Sequence, residues 1–268
     1  MKRAITLGLG ALALAGMTLP SAAADLGPIG KAPAIAPAPI FSWTGCYVGG
    51  FVGGAFAERD VINTDRGVSP AFVTAFNDPI NHSWTTNLDS SFIGGGTLGC
   101  NYQWPGSSFV VGIEGEAAFM RLDGTAADPL SLGLDTIATT RVGDWYGMIT
   151  GRVGWAINTV LLYGKAGAAF VDVEHTVVDA CSVAPCGAAL IATSFSDTKT
   201  TWTAGGGIEW AFAPNWTVKA EYMFIALDDV DRSCGVIRGA VAAAGSIACF
   251  DHDLGGIHTG KLGVNFRF

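Results

Sequence analysis

Charge is scarce in this chain. Only 14% of its 268 residues are Asp, Glu, Lys or Arg, against about 25% in ordinary soluble domains. Half of the residues are hydrophobic and the mean hydropathy is +0.39. Past the N-terminus there is still no uncharged apolar run of about 18 residues or more, so no segment qualifies as a transmembrane helix. A basic cluster is missing too. The 15 Lys and Arg face 23 Asp and Glu, a formal net charge of −8. Bulk electrostatics therefore exclude nucleic acid as a partner. No two of the six cysteines stand in C-x-x-C spacing, which weakens zinc and thioredoxin-type readings. Glycine is abundant, with 37 residues, but lacks a G-X-Y period, so collagen is excluded. Two classes remain. One is a soluble all-β sandwich or barrel. The other is a membrane β-barrel, whose signal is weak per segment.

The N-terminus sets the compartment. Lys2 and Arg3 form a basic segment before "AITLGLGALALAGMTL", an apolar run broken by Pro20 and Ser21. Ala22-Ala23-Ala24 offers an A-x-A cleavage site before Asp25. Residues 1–24 are thus expected to be a signal peptide. Its removal takes Lys2 and Arg3 away, from −8 to −10. Residues 25–42, rich in Pro and Ala, read as an extended periplasmic linker. Residues 43–268 read as the barrel domain.

From Trp43 onward the pattern has period two. Eight strands are expected, at 43–57, 91–104, 108–121, 144–156, 160–173, 201–212, 216–227 and 257–268. Three connections are tight turns: Pro105-Gly106-Ser107, Ile157-Asn158-Thr159 and Ala213-Pro214-Asn215. The others, 58–90, 122–143, 172–200 and 228–256, are long. Short and long connections alternate strictly. A soluble sandwich has no reason to segregate them to opposite ends. An outer-membrane barrel does, with short periplasmic turns, long extracellular loops and an even strand count. The fold class expected is therefore all-β, an eight-stranded antiparallel up-and-down transmembrane β-barrel.

Residues two apart on a strand share a face. The second strand sets Phe92, Leu98, Cys100, Tyr102 and Trp104 against Thr97, Asn101 and Gln103. The seventh sets Trp216, Val218, Ala220, Tyr222 and Phe224 against Thr217, Lys219 and Glu221, and the eighth sets Leu262, Val264, Phe266 and Phe268 against Lys261, Asn265 and Arg267. The apolar face suits lipid and the charged face a wet or salt-bridged interior. Aromatics at strand ends (Trp43, Trp104, Trp145, Trp155, Trp202, Trp210, Trp216 and Phe268) suit girdles at the two membrane interfaces.

The inward charges are Glu114, Glu116, Glu209 and Glu221 with Arg152, Lys165, Lys219, Lys261 and Arg267. A small barrel is only just wide enough to be filled by side chains, and lone buried charges are costly. Pairing is therefore expected: Glu114 or Glu116 with Arg152 first, Glu221 with Lys261 second. In "FVVGIEGEAAF", Glu114 and Glu116 are about 7 Å apart, a separation compatible with a glycosidase pair, but a filled interior leaves a sugar no room. Gly94 to Gly99 matches G-x-G-x-x-G, yet no helix is expected after it, so strand curvature explains it better than a nucleotide. His82, His175, His252 and His258 are scattered and read as surface residues. Asp228, Asp229 and Asp231 lack the Gly and Glu of a calcium loop and read as a solvated loop start. No catalytic residue, metal ligand or cofactor is expected.

An exported protein can form disulfides. Counted from the first long connection, Cys46 and Cys100 fall at the same depth near the periplasmic end, which predicts a cross-strand bridge. Cys181–Cys186 and Cys234–Cys249 would staple the third and fourth long connections.

Several stretches carry a resemblance: "SAAADLG", "FSWTGCYVGGFVGGAF", "SSFIGGGTLGCNYQW", "LLYGKAGAAFVDV", "WTAGGGIEWAFAPNWTVKAEYMFIAL" and "GKLGVNFRF". The mature chain resembles small outer-membrane β-barrel proteins of Gram-negative bacteria, the porin-family immunogenic outer-membrane proteins among them. The resemblance implies an outer-membrane location, surface antigenicity, a role in envelope integrity and no catalytic residues. It also implies that the terminal strand, ending in Phe268, is presented to the barrel-assembly machinery. The four cysteines in the long connections depart from the pattern. The expected function is a structural, surface-exposed envelope component with outer-membrane lipid around it. A small-solute channel is the alternative, and a lipid-acting enzyme the more distant one. The residues identify no peptidoglycan or host contact.

Overall fold

Alternating side chains build every element of this protein. The computed structural model describes residues 41–66, 81–131, 133–180, 190–227, 229–236, 238 and 247–268. The expected signal peptide, most of the linker, Asp228 and the Cys181–Cys186 pair lie outside the described residues. Among the described residues twelve strands are present: β1 (Gly45–Ala57), β2 (Val61–Asp65), β3 (Ser83–Thr86), β4 (Ser91–Gln103), β5 (Phe109–Ala127), β6 (Thr136–Ile157), β7 (Val160–Asp179), β8 (Ile191–Ala213), β9 (Trp216–Ile225), β10 (Val230–Val236), β11 (Ile247–Asp253) and β12 (Ile257–Arg267). Strands β1, β12, β9, β8, β7, β6, β5 and β4 pair in that order into a closed antiparallel barrel. The barrel closes where β1 meets β12, with Val48 opposite Phe266.

The long connections differ from the expectation. Among their described residues all four contain strand. β5 to β8 run well past the ends read from the sequence, because alternation persists through Leu122, Val142, Val173 and Val177, all buried. The first and last long connections contribute β2, β3, β10 and β11, which form a second sheet in the order β10-β11-β2-β3. Its inner residues Trp84, Ala248 and Phe250 pack with Ala138, Val177 and Ile191 of the extended strands. This end of the barrel is therefore covered by a folded cap. Where β6 passes from barrel wall to cap wall, its register with β7 shifts between Val142 and Tyr146, and Gly143 (φ 98°) and Asp144 (φ 70°) adopt left-handed backbone. A bulge of this kind bends a strand and re-aims it.

The outward face is apolar, as expected from the alternation. Phe92, Ile113, Ile149 and Leu262 are each more than 60% exposed. The strand-end tryptophans also point outward, except Trp43. It is fully buried and packs with Val110, Ala156, Leu161, Tyr163 and Ala211 inside the short-turn end, its indole N–H donating to the Asn158 carbonyl at 3.3 Å. Trp43 precedes the first residue of β1, Gly45, and its backbone N–H donates to Gln103 Oε1 at 2.8 Å while its ring fills the barrel mouth.

Candidate functional site

All nine expected interior charges are inside the barrel, none more than 7% exposed. Eight form one network. Lys165 Nζ lies 2.5 Å from Glu114 and 3.0 Å from Glu221. Lys219 Nζ is 3.2 Å from Glu114, and Lys261 Nζ is 2.7 Å from Glu116 and 2.9 Å from Glu221. Arg152, expected against Glu114 or Glu116, turns to Glu209 instead and reaches Glu114 only at 3.9 Å. The reason is Tyr47. Its hydroxyl stands between them, donating to Glu114 at 2.5 Å and accepting from Arg152 at 3.1 Å. Tyr146 donates to Glu116 at 2.7 Å and Tyr163 to Glu221 at 2.8 Å, while the Arg152 guanidinium lies 3.6 Å over the Tyr163 ring. Thr217 and Asn265 donate to Glu209 at 2.5 and 2.9 Å.

The sequence-level count of four acids and five bases resolves here. Arg267, the fifth base, stands apart at the short-turn end. It donates to the Ser42 carbonyl at 2.7 Å and lies 4.7 Å over Phe41. The connected network is four against four. Such neutrality matters because a buried charge without a partner costs several kcal/mol.

Glu114, Glu116 and Glu221 offer oxygens within 4.8 Å of one another. Lys165, Lys219 and Lys261 lie among them, so the negative charge that would hold a cation is already neutralised.

Apolar layers bracket the charges. Along β7 the inward residues run Leu161 and Tyr163, then Lys165, then Ala169, Val171 and Val173. Along β5 they run Val110, then Glu114 and Glu116, then Ala118, Met120 and Leu122. One apolar cluster lies on the short-turn side and a larger one, with Phe51, Ile93, Met223 and Ile257, on the cap side. The interior, expected to be wet or salt-bridged, holds a salt-bridged layer flanked by apolar side chains on both sides. Glycine makes room for it. A Cβ on Gly99 would stand 2.4 Å from the Tyr47 hydroxyl. Gly99→Val is expected to displace that phenol and lower the urea midpoint of unfolding, a cost of about 1–3 kcal/mol for overpacking.

The description of outer membrane protein beta-barrel domains matches residues 9–268. The chain belongs to this outer-membrane barrel family. It is 30% identical over 251 residues to the 31 kDa outer-membrane immunogenic protein of Brucella melitensis biotype 1, covering 89% of each chain. The protein of the same description from Brucella suis biovar 1 matches equally. Among solved structures, OprG from Pseudomonas aeruginosa superposes with a TM-score of 0.51 at 12% identity, over 85% of this chain and 98% of that one, which bears on fold alone. As a member of the family the protein resides in the outer membrane of a Gram-negative bacterium.

Two disulfides are present among the described residues in this family member. Cys46–Cys100 joins β1 to β4 at matched register, and Cys234–Cys249 joins β10 to β11. Phe268 follows the last strand, 70% exposed, its N–H donating to the Cys46 carbonyl at 3.0 Å.

Two of the four histidines overturn the surface reading. His175 on β7 and His252 on β11 are fully buried between cap and wall, their rings parallel with centroids 4.4 Å apart. Asp231, read as solvated, is 5% exposed and ion-paired to Lys199. Burial alone would raise its carboxyl, but His175 and Lys199 beside it hold it below the usual range. His175 and His252 are 77 residues apart in sequence (252 − 175) on separate segments, so no periodicity links them.

His252 sits between Ser233 Oγ, 2.8 Å from its Nε2, and Asn63 Oδ1, 2.8 Å from its Nδ1. Nucleophile, base and orienting group in line suit hydrolysis. Ser233, however, is only 1% exposed, and Thr193 Oγ1 covers its oxygen at 3.1 Å.

Proposed function

We propose that this chain is an eight-stranded barrel spanning the outer membrane as a sealed structural component, with its cap on the cell surface and its short turns in the periplasm. The observation that carries the reading is the neutral charge layer closed by apolar clusters on both sides. A pore needs a continuous polar path, and apolar side chains interrupt it twice.

The dimensions support the membrane reading. Outward aromatics pair at two heights, Phe109 with Trp155 and Phe119 with Trp145. Ten residues of β5 separate them (119 − 109). At about 3.3 Å per residue and a tilt of about 45°, they span about 23 Å, close to the apolar band of about 25 Å in outer-membrane barrels. Outer-membrane lipid is the partner of this wall. The barrel-assembly machinery would engage the last strand through Phe268, and deleting Phe268 is expected to lower the folded protein recovered in outer-membrane fractions severalfold.

Planar-bilayer recording tests the sealed reading. The refolded protein is expected to give no steady single-channel steps. Reproducible steps that disappear when bulkier side chains are placed in the charge layer would establish the small-solute channel instead. The protein is also proposed not to be an enzyme. A fluorophosphonate probe should leave Ser233 unlabelled, and stoichiometric labelling there would favour the lipid-acting alternative.

A further inference from the structure

The cap meets the barrel wall through a polar seam inserted between two apolar layers. His175 lies between Val173 and Val177 along β7, and His252 follows Phe250 along β11. The Asn63 amide fixes one hydrogen bond of His252. Asn63 Nδ2 donates to Thr86 Oγ1 at 2.8 Å, which turns its oxygen toward His252 Nδ1. His252 Nδ1 therefore donates to Asn63, and Nε2 meets the Ser233 hydroxyl. Both ring nitrogens meet neutral partners, an amide and a hydroxyl, so neither contact compensates a charge on the ring. His175 Nδ1 meets Thr140 Oγ1 at 2.9 Å, and its Nε2 faces Asp231 Oδ2 at 3.5 Å.

We propose that this histidine pair is an acid-sensitive closure: the cap stays docked only while the pair holds at most one proton, and protonation of both rings releases the β10-β11-β2-β3 sheet from the β5–β8 wall. Two imidazolium rings stacked at 4.4 Å in a fully buried layer would repel each other without water to screen them. The charged groups around the pair supply compensation for one at most. Asp231 on β10 is the carboxylate nearest His175, and Lys199 on β8 already shares it. Asp251 on β11 is occupied by Arg66 and by Arg232, and Arg232 first and Arg66 with it keep its carboxyl below the usual range. β2 adds Asp65, the next inward position after Asn63. β6 and β3 offer only the hydroxyls of Thr140 and Thr86.

The sign follows from proton counting. An undocked cap exposes two imidazoles of ordinary pKa, about 6.5, which both take up protons as pH falls. The docked pair takes up one fewer or more. Docking is therefore strongest above about pH 6.5 and weakens on acidification. Burial, and then the neighbouring His175 ring, push the His252 imidazole down to about 3, a shift of the same sign. Between pH 6.5 and 5 the cap carboxylates stay ionised, so the imidazoles dominate this window.

Hydrogen–deuterium exchange of residues 247–253, read by mass spectrometry on the full protein in detergent micelles and corrected for the intrinsic rate, tests this. Withholding one proton from a group of ordinary pKa, about 6.5, makes opening rise about sixteenfold from pH 6.5 to 5, approaching tenfold per pH unit at the acid end. His252→Gln keeps a donor and an acceptor without titrating, and should flatten the profile. The double variant His175→Phe with His252→Phe, which preserves the stacked pair, should be flat as well. Exchange in β9 and β12 should not change in any of them. A corrected wild-type profile that is flat from pH 7.5 to 5 would overturn the proposal, whether or not the variants fold. So would an undiminished slope in either variant with a docked cap.

Discussion

Arg152→Leu should lower the unfolding free energy of the barrel by about 3–5 kcal/mol, the range for removing one member of a buried ion pair. Arg152 is 1% exposed and ion-paired to Glu209, itself 1% exposed. Without the guanidinium, Glu209 keeps only Thr217 and Asn265 as donors, and the layer carries a net negative charge in a dry space. The Tyr163 ring also loses the cation stacked on it. The companion experiment replaces both partners, Arg152→Met with Glu209→Leu. Apolar substitutes for a complete pair are often neutral or stabilising, so the double variant should recover most of the loss. Urea unfolding in lipid vesicles, followed by the difference in gel mobility between boiled and unboiled samples, reads both. A single variant within about 1 kcal/mol of wild type would mean that water reaches the layer, which would count against the sealed barrel.

Cys46→Ser with Cys100→Ser is the second large effect. The bridge closes a loop with a sequence separation of 54. In the chain-entropy picture, closing a loop of that length is worth about 4 kcal/mol. The variant should unfold at a clearly lower urea concentration under oxidising conditions. Reduction of the wild type opens Cys234–Cys249 as well, so the serine pair is the cleaner measurement. An unchanged midpoint would mean that the β1–β4 pairing already persists in the unfolded chain.

The barrel was legible because its signals repeat. Period two recurs from β1 to β12, and each mid-strand charge, Glu114, Arg152, Lys165, Glu209, Lys219, Glu221 and Lys261, announces which face is inward. The Cys46–Cys100 register could be counted from one connection. The cap was not legible for the opposite reason. β2, β3, β10 and β11 have only four to seven residues each, too few periods to stand out from a loop. The partner of Arg152 was missed because adjacency of strands does not determine pairing inside a narrow barrel. Arg152 on β6 reaches Glu209 on β8 across the lumen, a choice set by the position of Tyr47 from β1. Trp43 shows the limit of reading aromatics by type. Its neighbours at the barrel mouth, rather than its place near a strand end, decide that it points inward.

The seam between β1 and β12 has a kinetic consequence. The charge layer draws Tyr47 from β1, Glu114 and Glu116 from β5, Arg152 from β6, Lys165 from β7, Glu209 from β8, Lys219 and Glu221 from β9, and Lys261 from β12. No partial set of strands can complete it. Water therefore leaves these groups only when the first and last strands join, so their dehydration falls late on the folding path. The same step runs first in reverse: to open, the barrel must part that seam before water can reach the ions. Persistence of the folded barrel is then governed by its unfolding rate, and its resistance to denaturation is a matter of lifetime as much as of equilibrium.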